Sequence, residues 1–460
     1  VLERPQKRAP DVLLVVLDTV RADRLSTYGY HRATSPQLDA VAGAGVVFED
    51  VTTAGTWTWP AHASLFTGEP PWIHGAHIGR GELGAAVKAG HLGALHLRSE
   101  LPTLAERFKA AGYRTTSLSA NALLSPDLGL TRGFDEAVFL PDHEVASRGA
   151  ALAAESGGAP HFLFLNFMGA HAPWNITPAP WSARHTARVA PDTAAAWAQP
   201  YLTKEPEGLD LYIAPEAGGL DGFQLLHTGD LRIPDEDMGW VQDLYDGQVA
   251  VSDYLLHRVL STWTEAHPDG IVAVVSDHGE YLGERGLWEH GKTVYREIIQ
   301  VPIVLAAPGR LPAGTRVQTP VQLRDIYPTL LDLSGVEKGA SGSLVPIVSG
   351  AKRPGPILAK AWASSVWERL IGGRFAHDWQ LIREGNVAVV QGSDGTVERY
   401  DLGADPSMSM DLHGADPGPS QPLIDRWSSS FVEADRADAN PVQLPDRVVE
   451  RLKALGYVSD

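Results

Sequence analysis

Val12-Leu13-Leu14-Val15-Val16-Leu17-Asp18-Thr19 is the stretch from which the fold is read. The apolar run is too short for a helix of ordinary length, it does not alternate with polar residues, and it stops abruptly at a carboxylate. Such a run reads as a strand buried on both faces. Arg114 to Ser119, His161 to Asn166, Ile271 to Ser276 and Ile303 to Ala306 repeat the pattern. Between these runs, Pro36 to Ala44, Leu101 to Ala111, Trp240 to Ala266 and Leu323 to Ser334 carry helical periodicity. Strands alternating with helices predict an α/β fold, a large doubly wound parallel sheet covered on both sides, over residues 1–335. In such sheets polar ligands gather at the carboxyl ends of the strands, and Asp18, Asn121, His171 and Asp277 each follow such a run.

Downstream, residues 336–460 are read as a smaller C-terminal α+β subdomain. Alternation through Gln380 to Arg383, Val387 to Val390 and Thr396 to Leu402 predicts a small antiparallel sheet, and Pro445 to Leu455 a closing helix. Residues 174–240 are rich in Pro, Gly and Ala, carry Trp174, Trp181 and Trp197, and lack sustained periodicity. Loops of this length are usually functional or disordered; a substrate-shaping lid and a surface excursion packed by its own tryptophans both remain open. Trp57, Trp59, Trp72 and Trp288 suit core packing and ligand walls equally.

With 460 residues, 44% apolar and 20% charged, the chain has the composition of a globular protein too long for a single core. A net charge of -18 excludes a nucleic-acid surface, which needs a basic footprint. The absence of Cys excludes disulfides, thiolate metal sites and a thiol nucleophile. No apolar run approaches the roughly 20 residues that span a bilayer. The chain begins at Val1 with a charged stretch and no apolar signal core. This start predicts processing or trimming, and with it an exported or periplasmic protein, or one membrane-anchored through a removed N-terminus.

Two segments end a buried strand in charge: Leu17-Asp18-Thr19 and Ser276-Asp277-His278-Gly279-Glu280. Carboxylates with one imidazole suit a divalent ion of intermediate hardness such as Zn, Mn or Mg. Asp18 alone reads equally as a helix N-cap. The second segment is harder to read as structural, because burying several ionisable groups without an ion or partners is costly. Shared ligation requires Asp18 and Asp277 to lie within about 8 Å, given bonds of roughly 2.0 to 2.2 Å. Thr58, in Gly55-Thr56-Trp57-Thr58-Trp59-Pro60-Ala61-His62-Ala63-Ser64-Leu65-Phe66-Thr67-Gly68, reads as a helix N-cap with Pro in the first turn. A hydroxyl there also faces free backbone N–H groups, where a phosphoryl group is readily held. Free Thr is a poor nucleophile and needs metal coordination to lower its pKa.

That last stretch resembles the nucleophile motif of the sulfatase branch of the alkaline phosphatase superfamily, in which Cys or Ser, one residue, Pro, one residue and Arg precede a helix ending in Thr-Gly. Here Thr58 stands for the Cys or Ser, and His62 for the Arg. The resemblance extends over most of the chain. Asp18 to Leu25 with Tyr28-Gly29-Tyr30 is similar to the opening block, with Thr19 where a second Asp is usual. His74-Gly75, Gly133-Phe134-Asp135 and Ala170-His171-Ala172-Pro173 follow in order. Asp277 to Glu280, Leu282-Gly283-Glu284 and Trp288 with Lys292 resemble the second metal block, and Asp325 to Leu331 and Tyr400-Asp401-Leu402 later landmarks.

The resemblance implies a fold of alkaline phosphatase/sulfatase type. The departures at Thr58, Thr19, His62 and Asp277-His278 resemble Thr-nucleophile relatives: phosphodiesterases, phosphonate monoester hydrolases and glycerol-phosphate transferases. It implies one divalent metal held by Asp18, Thr58, Asp277 and His278, with Mn or Zn ahead of Mg or Ca. A two-zinc site needs a His four residues after an additional Asp, and Asp246 is followed by Ala250. Thr58, His171, His290 and Lys292 are the implied catalytic residues. Asn121, His62 and Arg21 are the implied substrate contacts. Taken singly, His290 and Lys292 also read as solvated loop residues; together in Glu289-His290-Gly291-Lys292 they read as site residues.

A formylglycine aldehyde cannot form from Thr, whose Cβ carries a methyl. The expected reaction is therefore metal-dependent cleavage or transfer of phosphate esters, phosphodiesters or phosphonate monoesters, through a covalent Thr58 intermediate. In that reading the metal binds the Thr58 alkoxide and a nonbridging oxygen, and His290 is the acid for the leaving oxygen. Sulfuric ester hydrolysis without formylglycine is the enzymatic alternative. A non-catalytic family member that binds a metal or an anionic ligand is the other. The expected partner is a small-molecule or lipid- or glycan-linked anionic ester.

Overall fold

The structure is a computed structural model and describes residues 8–78, 91–174, 196–203, 208–212, 220–364, 368, 372–432, 441–443, 445, 446, 448 and 449. Its centre is an eight-stranded sheet. In chain order the strands are β1 (Val12–Leu17), β2 (Val46–Phe48), β3 (Arg114–Ser119), β4 (Glu136–Phe139), β5 (His161–Phe167), β6 (Ile271–Val275), β7 (Ile303–Ala306) and β8 (Thr315–Val317). Across the sheet the order is β8-β2-β7-β6-β1-β5-β3-β4.

β1 is wholly buried and pairs in parallel with β5 on one side and β6 on the other. Its side chains alternate between two cores, as the pleat demands. Val12, Leu14 and Val16 join Trp59, Ala63 and Phe66 of α2 (Thr58–Thr67), Phe108 of α3 (Leu104–Ala110) and Leu330 of α6 (Ile326–Ser334). Leu13, Val15 and Leu17 join residues of α1 (Pro36–Ala44), α4 (Asp142–Ala153) and the long α5 (Asp235–Ala266).

The sheet is mixed where the sequence predicts it parallel. β7 runs antiparallel to both β6 and β2. A parallel return needs a crossover of a dozen or more residues, usually a helix. The chain between β6 and β7 instead stays at the carboxyl end of β6, where it carries Asp277 to Lys292, and enters β7 from that end, with Ser276 N bonded to Pro302 O. β2, β4 and β8 are too short to show in the sequence pattern. α3 begins three residues later than its periodicity suggests, because Thr103 and Glu106 form a capping box. α5 begins earlier, with Asp235, Glu236 and Asp237 in a first turn that favours acids.

Ser35 supplies no side-chain cap to α1. Asp253 of α5 does so from outside, accepting from Gln37 N (3.0 Å) and Leu38 N (2.9 Å). Asp253→Ala is expected to lower stability by about 2 kcal/mol, the sum of a lost cap and newly orphaned buried N–H groups. Thermal unfolding should show the loss while turnover per folded molecule is unchanged; an unshifted Tm removes this clamp from the account.

A four-stranded antiparallel sheet follows: β9 (Ile357–Ala361), β10 (Trp379–Glu384), β11 (Val387–Gly392) and β12 (Val397–Asp401). Three of these strands match the predicted alternation; β9 was not foreseen. Lys360 N bonds to Ala54 O and Arg383 to Asp50, so this sheet braces the approach to α2. In the region read as an insertion, Trp174 is buried against Phe223 and Tyr245, and Trp197 packs on Trp240. Trp181 and most of the predicted closing helix lie outside the described residues. No helix among the described residues is long and apolar enough to cross a membrane.

Candidate active site

Asp18, Asn121, His171 and Asp277 leave the carboxyl ends of β1, β3, β5 and β6, and the order of these neighbouring strands brings them together. One ligand atom each from Asp18, Asp277 and His278 lies within 4.8 Å of the others, and all three residues are buried. Each carboxylate uses its two oxygens differently. Asp18 Oδ2 accepts from Asn121 Nδ2 (2.8 Å) and Asn166 Nδ2 (3.2 Å), while Asp277 Oδ1 accepts from His278 N (3.0 Å) and Thr19 N (3.3 Å). Asp18 Oδ1 and Asp277 Oδ2 are buried with no hydrogen-bond partner. His278 Nδ1 donates to Gly279 O (3.0 Å), which turns the Nε2 lone pair toward those two oxygens at 3.8 and 3.3 Å. Two orphaned carboxylate oxygens facing an imidazole nitrogen fit a divalent cation.

The electrostatics are those of a crowded anionic site. Burial, then repulsion from Asp277, raises the pKa of Asp18. Burial also acts to raise Asp277, but His278 and His62 outweigh it and bring that carboxyl down. Two carboxylates this close do not ionise independently without a cation.

Thr58 Oγ1 stands 3.2 Å from Asn121 Nδ2 and 3.5 Å from His278 Nε2. The expectation that Thr58 caps its helix is corrected: the N-cap is Trp57, in extended conformation (φ -157°, ψ 170°), and Thr58 is the first helical residue. A capping side chain must sit on a non-helical residue. The Thr58 hydroxyl therefore points to the cluster instead of to its own helix.

His62, one helical turn on, is fully buried with Nδ1 3.1 Å from Thr58 O and 3.3 Å from Asp277 Oδ2. Burial opposes its charge, yet Asp277 and Asp18 raise its pKa. Phe66 and Phe164 wall it in, so it supports Asp277 from behind and is not placed for the substrate contact expected of it. Arg21 departs from its expectation more clearly. Its guanidinium is committed to Asp23, Glu284 and the Glu280 carbonyl, which makes it a clamp between two loops.

His171 donates Nδ1 to Ala172 O, and burial lowers its pKa. Its ring meets that of His290 edge-on at 5.0 Å, and His290 lies 4.4 Å from His278. Lys292 Nζ is paired with Glu289 Oε2 at 2.6 Å and reaches Trp288 O at 3.2 Å. A contact with substrate, which the catalytic role implied for Lys292 needs, requires the ammonium to share or leave that carboxylate.

Asn166 and Glu280 take part without having been singled out. Asn166 lies inside a core strand and looks in sequence like any interior residue. Glu280 closes the Asp277-His278-Gly279-Glu280 run, and its Oε1 lies 2.9 Å from His290 Nδ1. Thr19 takes a positive φ of 59°, rare for a β-branched residue, and thereby delivers its N–H to Asp277.

Fold and site together define a class. Residues 10–336 match the sulfatase family, and the chain belongs to it. It is 23% identical over 450 residues to a choline-sulfatase of Rhizobium meliloti (strain 1021), covering 86% of this chain and 81% of that protein. Among solved structures it resembles the phosphonate monoester hydrolase of Agrobacterium radiobacter, with a TM-score of 0.64 at 21% identity over 95% of this chain and 97% of the other. It also resembles a protein solved in complex with its substrate D-glucosamine-2-N,6-O-disulfate, with a TM-score of 0.68 at 17% identity over 94% and 99%.

Proposed function

We propose that the protein is a metal-dependent hydrolase or transferase of phosphate esters, phosphodiesters or phosphonate monoesters, working through a covalent intermediate on Thr58. The observation that carries this reading is the Thr58 hydroxyl, free of any capping role and held beside Asn121 Nδ2 and His278 Nε2 at the edge of the Asp18–Asp277–His278 cluster. Asp18, Asp277 and His278, with Thr58, would hold a divalent ion, Mn or Zn in preference to Mg or Ca, which supplies Lewis acidity to activate a hydroxyl and offset developing charge.

The residues around it have distinct tasks. Asn121 Nδ2 donates to both Thr58 Oγ1 and Asp18 Oδ2 and so fixes the hydroxyl against the carboxylate. Thr58 Oγ, its proton given up to water, attacks phosphorus; the bond to the leaving oxygen breaks with its electron pair on that oxygen, and His290 protonates it. Water, or an acceptor hydroxyl in a transferase, then releases the phosphoryl group. His171 would face the anionic oxygens of the reacting group, and Lys292 would join it once its ammonium shares or leaves Glu289.

Sulfate-ester hydrolysis is the second reading, favoured by the likeness to a choline-sulfatase and to a structure holding a disulfated glucosamine. Thr58 weighs against it: a threonyl sulfate lacks the elimination route of an aldehyde hydrate. The protein loaded with Mn or Zn should cleave bis(p-nitrophenyl) phosphate or p-nitrophenyl phenylphosphonate with higher kcat/KM than p-nitrophenyl sulfate. Faster sulfate turnover under matched conditions reverses the assignment, and no turnover of any of the three supports a non-catalytic binder.

A further inference from the structure

Glu280 is fully buried at the floor of the site, and neither the metal ligands nor the nucleophile uses it. Tyr281–Leu282 and Trp288–Glu289 form a small antiparallel ladder in which Trp288 faces Leu282 and Glu289 faces Tyr281. Continued by one residue, that register sets His290 opposite Glu280. Directly opposed residues of an antiparallel pair place their side chains on the same face. Glu280 Oε1 accordingly lies 2.9 Å from His290 Nδ1, while Oε2 is buried without a hydrogen-bond partner. Glu289 takes a positive φ of 57°, sparsely populated for a residue with a Cβ, and Gly291 follows with a φ of 84° that glycine adopts freely. The imidazole stands between His171 and His278.

From this geometry we infer that Glu280 is the positioning residue of a Glu280–His290 proton-donating pair, and that its carboxylate fixes the His290 ring so that Nε2 serves the leaving oxygen. This rests on the reading of His290 as the acid of the esterase reaction. The donating form of the pair needs one proton between Oε1 and Nδ1 and a second on Nε2. As the bond from phosphorus, or sulfur, to the leaving oxygen breaks, the bonding electrons stay with that oxygen and the Nε2 proton passes to it. The other proton stays on Nδ1, facing the Glu280 carboxylate. An acid–imidazole pair orients the ring and its tautomer in the same way in other hydrolytic sites.

The test uses the metal-loaded full chain and a series of substituted phenyl phenylphosphonates, or phenyl sulfates should those be the better substrates. Glu280→Gln should lose roughly 10²-fold or more in kcat/KM on phenyl esters with poor leaving groups. On nitrophenyl esters, whose leaving oxygen needs no proton, it should lose less than about tenfold. His290→Asn should show the same steepened leaving-group dependence, and the double variant no further loss. A uniform loss across the series in Glu280→Gln makes Glu280 merely structural and overturns the inference. A flat series in His290→Asn overturns it through the underlying reading of His290, whatever Glu280→Gln does. Glu280→Asp, which retracts the carboxylate by one carbon, gives the same comparison should Glu280→Gln fail to fold. Independently, a carboxylate-bonded imidazole N–H should appear downfield in proton NMR of the wild type and vanish in either Glu280 variant; its absence from the wild type contradicts the pair.

Discussion

Thr58→Ala is expected to fold like the parent chain and to lose about 10⁴-fold or more in turnover, the scale of removing a nucleophile. In free energy that is about 5.5 kcal/mol of transition-state stabilisation. The structural cost should be far smaller. Oγ1 accepts one hydrogen bond, from Asn121, worth about 0.5 to 1.5 kcal/mol, and the helix keeps its N-cap because Trp57, not Thr58, occupies that position. The two effects therefore separate: Tm should move by a few degrees while kcat collapses. Thr58→Ser keeps the hydroxyl beside His278 and should retain measurable activity. Mass spectrometry of the wild type quenched during turnover should find a phosphorylated Thr58, and the Ala variant none. Near-native turnover in a folded Thr58→Ala protein would leave the hydroxyl without a chemical role and put a directly attacking water in its place.

Much of this candidate site can be read from the sequence because the residues that form it sit where the chain changes character. β1, β3, β7 and α1 have the bounds that their apolar runs and periodicity predict, and the polar residue after each of β1, β3, β5 and β6 arrives at the shared carboxyl edge. Strand direction was not legible at β7, since a wholly buried run reads the same both ways. Asn166 was hidden because its one visible property is membership of a core strand. His62 and Arg21 were misread for a different reason. Both are cationic and near the site in sequence, but which carboxylate each meets is decided by tertiary packing: Asp277 for one, Asp23 and Glu284 for the other. The partnership of Glu280 with His290 likewise depends on the register of a two-residue ladder that leaves no mark in composition.

Removing divalent metal is expected to bring activity below about 1% of the starting value, with recovery on adding Mn or Zn and weaker recovery with Mg or Ca. The cause is visible in the paired carboxylates. Each holds one oxygen in hydrogen bonds and leaves the other buried without a hydrogen-bond partner, facing imidazole nitrogens at 3.3 to 3.8 Å, an arrangement that a bound cation would stabilise. A bound ion should therefore stabilise the fold as well as support turnover. At a hundredfold excess over its Kd the linkage gives about 2.7 kcal/mol, which a thermal scan with and without metal resolves. Asp18→Asn separates ligation from folding. An amide oxygen can still accept from Asn121 and Asn166, and a neutral side chain escapes the burial, and the repulsion from Asp277, that raise the Asp18 pKa, so the metal-free variant should melt close to metal-free wild type. It should nevertheless be inactive and show little or no rise in Tm with Mn or Zn. Full turnover in chelator-treated protein shown by elemental analysis to be metal-free, or a metal-induced rise in Tm as large in Asp18→Asn as in wild type, would remove the ion from this site and with it the means of activating Thr58.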